Sequence, residues 1–324
     1  MDQLHKFLFE GLPVRGMLVR LGPSWRELLS RRVSVSDGGH AFAPPVRALL
    51  GEMAVAGLLM QGNLKFNGAL ILQLQGDGPV KLAVAETQPD LSFRVTAKVV
   101  GEVAADARLE AMLNLHGQGR CAITLDPLDR LPGQQPYQGV VPLHGDLGEP
   151  LQKLSEVLEH YMLQSEQLDT RLVLAADDSV AAGLLIQRLP ISGGANLAGQ
   201  VLVSADEDQI GRNEDFNRIA MLVATLTPQE LLTLQPEQLM HRLFWQETLR
   251  VFEPQQPRFA CRCSRERVAN MLRGLGAQEI ESLIEERGEA EVACDFCGET
   301  YRFDPVDAGE LFAAVQASTS SRLH

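Results

Sequence analysis

A surplus of positive charge is missing. Twenty-nine Lys and Arg stand against 42 Asp and Glu, a formal net charge of −13. That excludes a general nucleic-acid or anionic-membrane binder, whose affinity would rest on Lys and Arg neutralising phosphate. Long apolar runs are missing too. The longest, residues 48–60, is interrupted by Glu52 and is too short to span a bilayer. Residues 1–11 carry Glu10 and no apolar core of the length a secretory signal needs. No fixed-period repeat is visible, and motifs for catalysis are absent. Gly76-Asp77-Gly78 is followed by Pro79 and an extended segment, so it presents no helix N-terminus to a phosphate. Ser192-Gly193-Gly194-Ala195-Asn196 lacks the Lys-Ser/Thr ending of a P-loop. His5, His116, His144 and His160 have no partners at metal or triad spacing. No catalytic residue is expected, and neither an ATPase nor a hydrolase is indicated.

Cysteine is scarce as well, but its placement is informative. Four of the five fall into two pairs, Cys261-Arg262-Cys263 and Cys294-Asp295-Phe296-Cys297, with thirty residues between them. Two chelating thiolate pairs suit a closed tetrahedral zinc site. Cys261, Cys263, Cys294 and Cys297 are therefore the expected metal ligands, and one Zn2+ per chain the expected cofactor. Without an export signal, such pairs point to a reducing cytoplasm, where they serve more often as ligands than as permanent disulfides. Cys121 alternates with Ile123 and Leu125, as a small hydrophobe in a sheet would.

An apolar fraction of 45% in 324 residues predicts about two soluble domains with a sizeable core. Residues 46–60 predict a buried helix. Residues 64–75 predict an extended run, with Asn67-Gly68 as a tight hairpin turn. Further strands are expected at 80–84, 93–99, 171–175 and 183–189, and a helix at 151–164. Strands and helices follow no regular βαβ order, so the expected class is α+β with a mixed sheet. The polar stretch 204–217 begins a linker. Within it Thr227, Pro228 and Glu230 form a capping box, and a second helix from Pro236 carries Leu239, Met240, Leu243 and Phe244 on one stripe. That stripe either docks onto the first domain or, if docking is reversible, becomes a binding surface. The expected organisation is a core domain over 1–208, a helical linker over 209–258 and a small metal-binding domain over 259–324.

The last segment is lean. Ser264 caps a short helix that Gly274 would stop, Gly288 ends a second, and Asp304-Pro305 opens a third. Structural zinc contributes an apparent ~10–16 kcal/mol, comparable with the ~5–15 kcal/mol total stability of a typical domain. Losing the metal is therefore expected to unfold this segment. Thiolates are also the form that oxidants attack, so the ligands are potential redox groups. Four cysteines permit three disulfide connectivities, and spacing does not choose among them. Arg262, Arg265 and Arg267 either offset the cluster's negative charge or form a solvated helix face.

Cys261-Arg262-Cys263-Ser264-Arg265-Glu266-Arg267 together with Cys294-Asp295-Phe296-Cys297-Gly298 resembles the redox-switch domain of the heat-shock protein 33 family of chaperones. Asp2-Gln3-Leu4-His5, Gln73-Leu74-Gln75-Gly76-Asp77-Gly78-Pro79, Tyr137-Gln138-Gly139-Val140-Val141 and Ser165-Glu166-Gln167-Leu168 resemble its amino-terminal domain. Glu230-Leu231-Leu232-Thr233-Leu234 resembles its linker. The stretch 192–215 looks longer than the family's. The resemblance implies an ATP-independent holdase, not an enzyme, in which oxidation pairs Cys261 with Cys263 and Cys294 with Cys297. Zinc release and unfolding of the switch and linker would then expose surface to unfolding clients, through residues such as Leu231, Leu232, Leu239, Met240, Leu243 and Phe244. It also implies a homodimer in the oxidised form, and a role in stress and protein folding. Two other classes fit the cysteines: a constitutive zinc module that recruits a partner, and a thiol–disulfide oxidoreductase. The second lacks a thioredoxin-like βαβ context around Cys294 and Cys297.

Overall fold

A computed structural model describes residues 1–33, 42–64, 66–130, 133, 135–189 and 211–320. The chain forms two compact units, one comprising Met1–Leu29 and Ala41–Ala260, the other Ser30–His40 and Cys261–His324. The class is α+β.

The first unit is built on two sheets. In chain order its strands are β1 (Gln3–Phe9), β2 (Val14–Leu21), β3 (Gly68–Gln75), β4 (Val80–Thr87), β5 (Ser92–Val99), β6 (Arg120–Pro127) and β7 (Tyr137–Pro142), followed by β8 (Thr170–Ala176), β9 (Ala181–Arg188), β10 (Leu249–Val251) and β11 (Arg258–Phe259). Five form a sheet in the order β10-β1-β2-β9-β8, and six form a second in the order β11-β5-β4-β3-β6-β7. The pairings are antiparallel except that of β11 with β5. The second sheet is therefore mixed.

Four helices accompany these strands, α1 (Pro23–Val33), α2 (Pro44–Asn63), α3 (Leu109–Leu113) and α4 (Leu154–Glu166). The Ala- and Leu-rich α2 packs against strands of both sheets and buries residues on every side. Its approach to the first sheet depends on Gly51, where an added Cβ would lie 2.4 Å from the Cβ of Ala176. Cys121 pairs with Leu74 and Val141, is fully buried, and has its thiol pushed up to about 12 by burial. It behaves as a core hydrophobe.

The other face of the five-stranded sheet carries Phe7, Phe9, Val14 and Leu18. It is covered by α5 (Glu214–Ala224), α6 (Pro228–Thr233) and α7 (Pro236–Phe244). Phe244 reaches the rings of Phe7 and Phe9 at centroid distances of 5.9 and 5.0 Å. Thr227 and Glu230 form the expected reciprocal cap. A buried Arg188–Asp169 ion pair of 2.7 Å fixes the entry to these helices, because Asp169 also accepts from the amide of Gly211 at 2.9 Å.

Two expectations are corrected. Asn67-Gly68 is not a hairpin turn: Gly68 opens β3, whose neighbours are β4 and β6. Gly274 does not end its helix, which runs to Leu275 and stops at Gly276, whose φ of 98° is accessible to glycine at little cost. Residues 192–196, and the linker start as far as residue 210, lie outside the described residues.

Candidate metal centre

The second unit holds α8 (Arg265–Leu275), α9 (Ala277–Arg287), α10 (Pro305–Ser320) and a two-stranded ribbon of β12 (Ala290–Ala293) with β13 (Thr300–Phe303). Its local structure delivers the cysteines in two turns. Cys261 and Cys263 run directly into Ser264, whose hydroxyl caps α8 by accepting from the amide of Arg267 at 3.2 Å. Cys294 leaves β12 into a knuckle in which its amide donates to Glu299 O at 2.9 Å. Its carbonyl accepts from Gly298 N at 2.8 Å. Gly298 has a φ of +74°, the left-handed conformation that closes the turn around Cys297.

The four sulfurs converge within 4.8 Å of one another, the one such cluster of metal-ligating side chains among the described residues. Cys261 Sγ is 3.6 Å from Cys294 Sγ, and Cys263 Sγ is 3.4 Å from Cys297 Sγ. Thiolates each about 2.3 Å from a tetrahedral ion sit about 3.8 Å apart, so the spacing fits a single ion. All five cysteines are free thiols. Cys297 is the most buried of the four, and burial pushes its thiol well above the ordinary range, with the Glu299 amide pulling the other way. A bound divalent cation inverts that preference, because a coordinating thiol is deprotonated outright. These residues can hold a metal ion.

Two participants were not foreseen. The hydroxyl of Tyr301, on β13, donates to Cys263 Sγ at 3.2 Å, and that bond raises its own proton affinity. Arg32, in the part of α1 that groups with this unit, lies in the field of Asp295, Cys294 and Cys297, although burial pulls its basicity down. Two of the arginines read as either offsetting the cluster's charge or forming a solvated helix face, Arg265 and Arg267, bond to groups other than the four sulfurs. Arg265 stacks over Phe303 at 4.3 Å, pairs with Asp307 at 2.7 Å and donates to Arg302 O. Arg267 donates to Arg262 O. Tyr301 carried a weak signal, as a polar aromatic just beyond the second pair. For Arg32 there was none, since more than 260 residues separate it from Asp295.

In the first unit, Leu231, Leu239, Met240, Leu243 and Phe244 are buried against the five-stranded sheet, and Leu232 is half-buried beside them. No helix of the described residues is long and apolar enough to cross a membrane.

Residues 2–304 match the family model described as Hsp33 protein. The 33 kDa chaperonin of Chromobacterium violaceum is 44% identical over 96% of this chain and 94% of its own length. That of Methylobacillus flagellatus is 41% identical over 96% and 94%. The crystal structure of the 33 kDa chaperonin (heat shock protein 33 homolog) from Thermotoga maritima has the same fold, with a TM-score of 0.75 at 21% identity, covering 98% of this chain and all of that one. The match extends through both units, from the amino-terminal strands to the end of the cysteine ribbon, and the chain belongs to the Hsp33 family.

Proposed function

We propose that this protein is a molecular chaperone, a holdase without ATP chemistry, whose client binding is governed by the oxidation state of Cys261, Cys263, Cys294 and Cys297. The observation that carries the reading is the convergence of four thiols in a unit with a thin core. Relatives over nearly the full length are named chaperonins. In the reduced protein the four thiolates would hold one Zn2+, which supplies cross-linking charge to a ribbon and three helices that bury little else.

Oxidation by a peroxide takes two electrons from each pair of thiols. One disulfide forms between two thiolates as the peroxide O–O bond breaks, the two oxygens leave as two molecules of water after taking two protons from solvent, and two ligands are lost at once. We assign the pairs as Cys261–Cys263 and Cys294–Cys297. Unfolding of the switch, residues 259–324, then releases the linker, residues 209–258, from the core over 1–208. Leu231, Leu239, Met240, Leu243 and Phe244 become client contacts only by leaving the sheet they now cover, so their burial supports a latent surface. Homodimerisation of the oxidised form and a cytoplasmic location belong to the same reading.

The test follows zinc release, free thiols and client protection together through one peroxide titration. Oxidised protein is expected to suppress light scattering by a heat-unfolding client while reduced protein does not. Equal suppression by both forms overturns the redox control. Zinc that stays bound with all four thiols protected favours a constitutive metal module instead.

A further inference from the structure

A second polar cluster lies in the first unit, independent of the metal centre. Arg15 on β2 stands directly opposite Gln187 on β9. Its Nη2 donates to Gln187 Oε1, and Asn63 Nδ2 at the end of α2 donates to the same oxygen at 2.7 Å. Gln187 Nε2 in turn donates to Thr170 Oγ1 at 2.9 Å. Gln187 is wholly buried and its hydrogen-bonding capacity is used up. The amide therefore fixes the guanidinium without neutralising it.

The charge is left over. Among the described residues no carboxylate pairs with Arg15, and its Nε is buried without an acceptor. Arg15 as a whole is only half-buried and lines a cavity, so the guanidinium donors that Gln187 does not use are open to an acceptor from outside. Lys6 adds to the excess. It is two residues from the partner of Arg15 on the neighbouring strand and so on the same face, half-buried and disfavoured in its charged form by burial and then by Arg15.

Arg15 opens on a cavity of about 100 Å3 whose walls are mostly hydrocarbon, including Leu70, Ile123 and Leu125. That is several times the ~30 Å3 share of a water molecule, and below the ~300 Å3 at which drug-sized pockets begin. Its one lining carboxylate, Glu166, accepts from the hydroxyls of Tyr161 at 2.9 Å and Tyr137 at 3.5 Å. Tyr161 comes this close to β7 because residue 139 is glycine: a Cβ there would lie 2.6 Å from its ring. Of the motifs singled out in the sequence, Ser165–Leu168 lines the cavity through Glu166 and Leu168, and Tyr137–Val141 backs it by contacting Glu166 and Tyr161.

We propose that this cavity is a binding site for a small apolar monocarboxylate, its carboxylate taken by the Arg15 guanidinium and its tail by Leu70, Ile123 and Leu125. Guanidinium matches carboxylate in charge and fork geometry, and the apolar walls select for a hydrocarbon tail. The size limits the tail to a few carbons.

Two methionines line the cavity, Met60 and Met162, and serve as reporters. The full reduced chain, carrying 13C-methyl methionine, is titrated with sodium butyrate at constant ionic strength, and in parallel with butan-1-ol and butylamine. Butyrate is expected to shift Met60 and Met162 saturably, with a Kd of about 1 mM, while the exposed Met221 and Met271 stay put. The alcohol and the amine are expected to bind at least about tenfold more weakly, as is butyrate to Arg15→Gln, which loses the charge-assisted contact. Leu125→Phe, which fills the cavity and leaves Arg15 intact, is expected to abolish the shifts. Butan-1-ol binding as tightly as butyrate, an unchanged Kd in Arg15→Gln, or no saturable shift at Met60 and Met162 overturns the proposal. If Arg15→Gln fails to fold, Leu125→Phe and the three-probe comparison on the unaltered chain decide it.

Discussion

In the first unit α2 is enclosed by two sheets, and Leu50, Met53 and Leu58 are fully buried among dozens of apolar neighbours. In the second, the core cluster among the described residues has eight buried apolar members, drawn from three helices and a two-stranded ribbon. Below about 70–80 residues a single core rarely supplies more than ~3–5 kcal/mol, and a metal is one of the usual staples. One unit is held by hydrocarbon it cannot lose. In the proposed reading the other depends on four sulfurs, whose chemistry would change with the redox environment. The difference places the fragility where chemistry can reach it.

Metal removal should break the comparison most sharply. Chelation under reducing conditions, or Cys263→Ser, is expected to withdraw a contribution of order ~10 kcal/mol. The second unit should lose its chemical-shift dispersion while the first keeps its own melting transition. One transition shared by both units would show that they are not separately stabilised. A smaller contrast comes from equivalent cavities. Phe303→Ala and Leu58→Ala each remove about 2–5 kcal/mol. The first should unfold its unit even with metal in excess, and the second should leave the first unit folded with a lowered Tm; hydrogen exchange separates the two outcomes.

The larger unit also has a titratable weak point. Glu52, half-buried on α2, lines a cavity shared with Lys153, Ser155, Glu156, Glu159 and Arg171, and with residues of α5 and α6. Burial pushes its carboxyl up to about 8, with Lys153 opposing. Between the ordinary carboxylate range and pH 8 the folded chain holds a proton that the unfolded chain has released. Stability therefore falls as pH rises through that window and levels off above it. Glu52→Gln is expected to raise Tm most near pH 9 and hardly at all near pH 5, and a pH-independent effect would refute the assignment. The smallest expected change is at the N-terminal cap of α6. Thr227→Ala should cost about 1 kcal/mol and hasten proteolysis of α6, without altering metal affinity.

Much of this was legible because it is local. Thr227 with Glu230, and Ser264 before α8, are caps that need only a few consecutive residues. The alternation of Cys121, Ile123 and Leu125 marks β6 in the same way. The two cysteine pairs announced by their spacing the four sulfurs that the fold brings together. What escaped notice depends on distant partners. β2 carries Gly16 beneath the ring of Phe7 and is completed by β9, some 170 residues away, so its own pattern is irregular. The Asn67-Gly68 dipeptide has the chemistry of a hairpin, but α2 delivers the chain there as the start of a central strand. No local pattern singles out Arg15. Only the register that sets Gln187 opposite it makes its charge conspicuous.

One pairing has a wider consequence. The eleven residues Leu249–Phe259 supply the outermost strand of both large sheets, β10 beside β1 and β11 beside β5. Ala260 adds a last bond from its amide to Phe93 O at 3.1 Å, one residue before Cys261. This short segment is a selvedge, the finished margin that keeps a fabric from fraying. An open sheet edge presents a row of unpaired amides and carbonyls, a template for any extended chain. Peeling this margin back would expose two such templates in one event, each with main-chain hydrogen bonds to offer whatever the sequence of the strand that arrives.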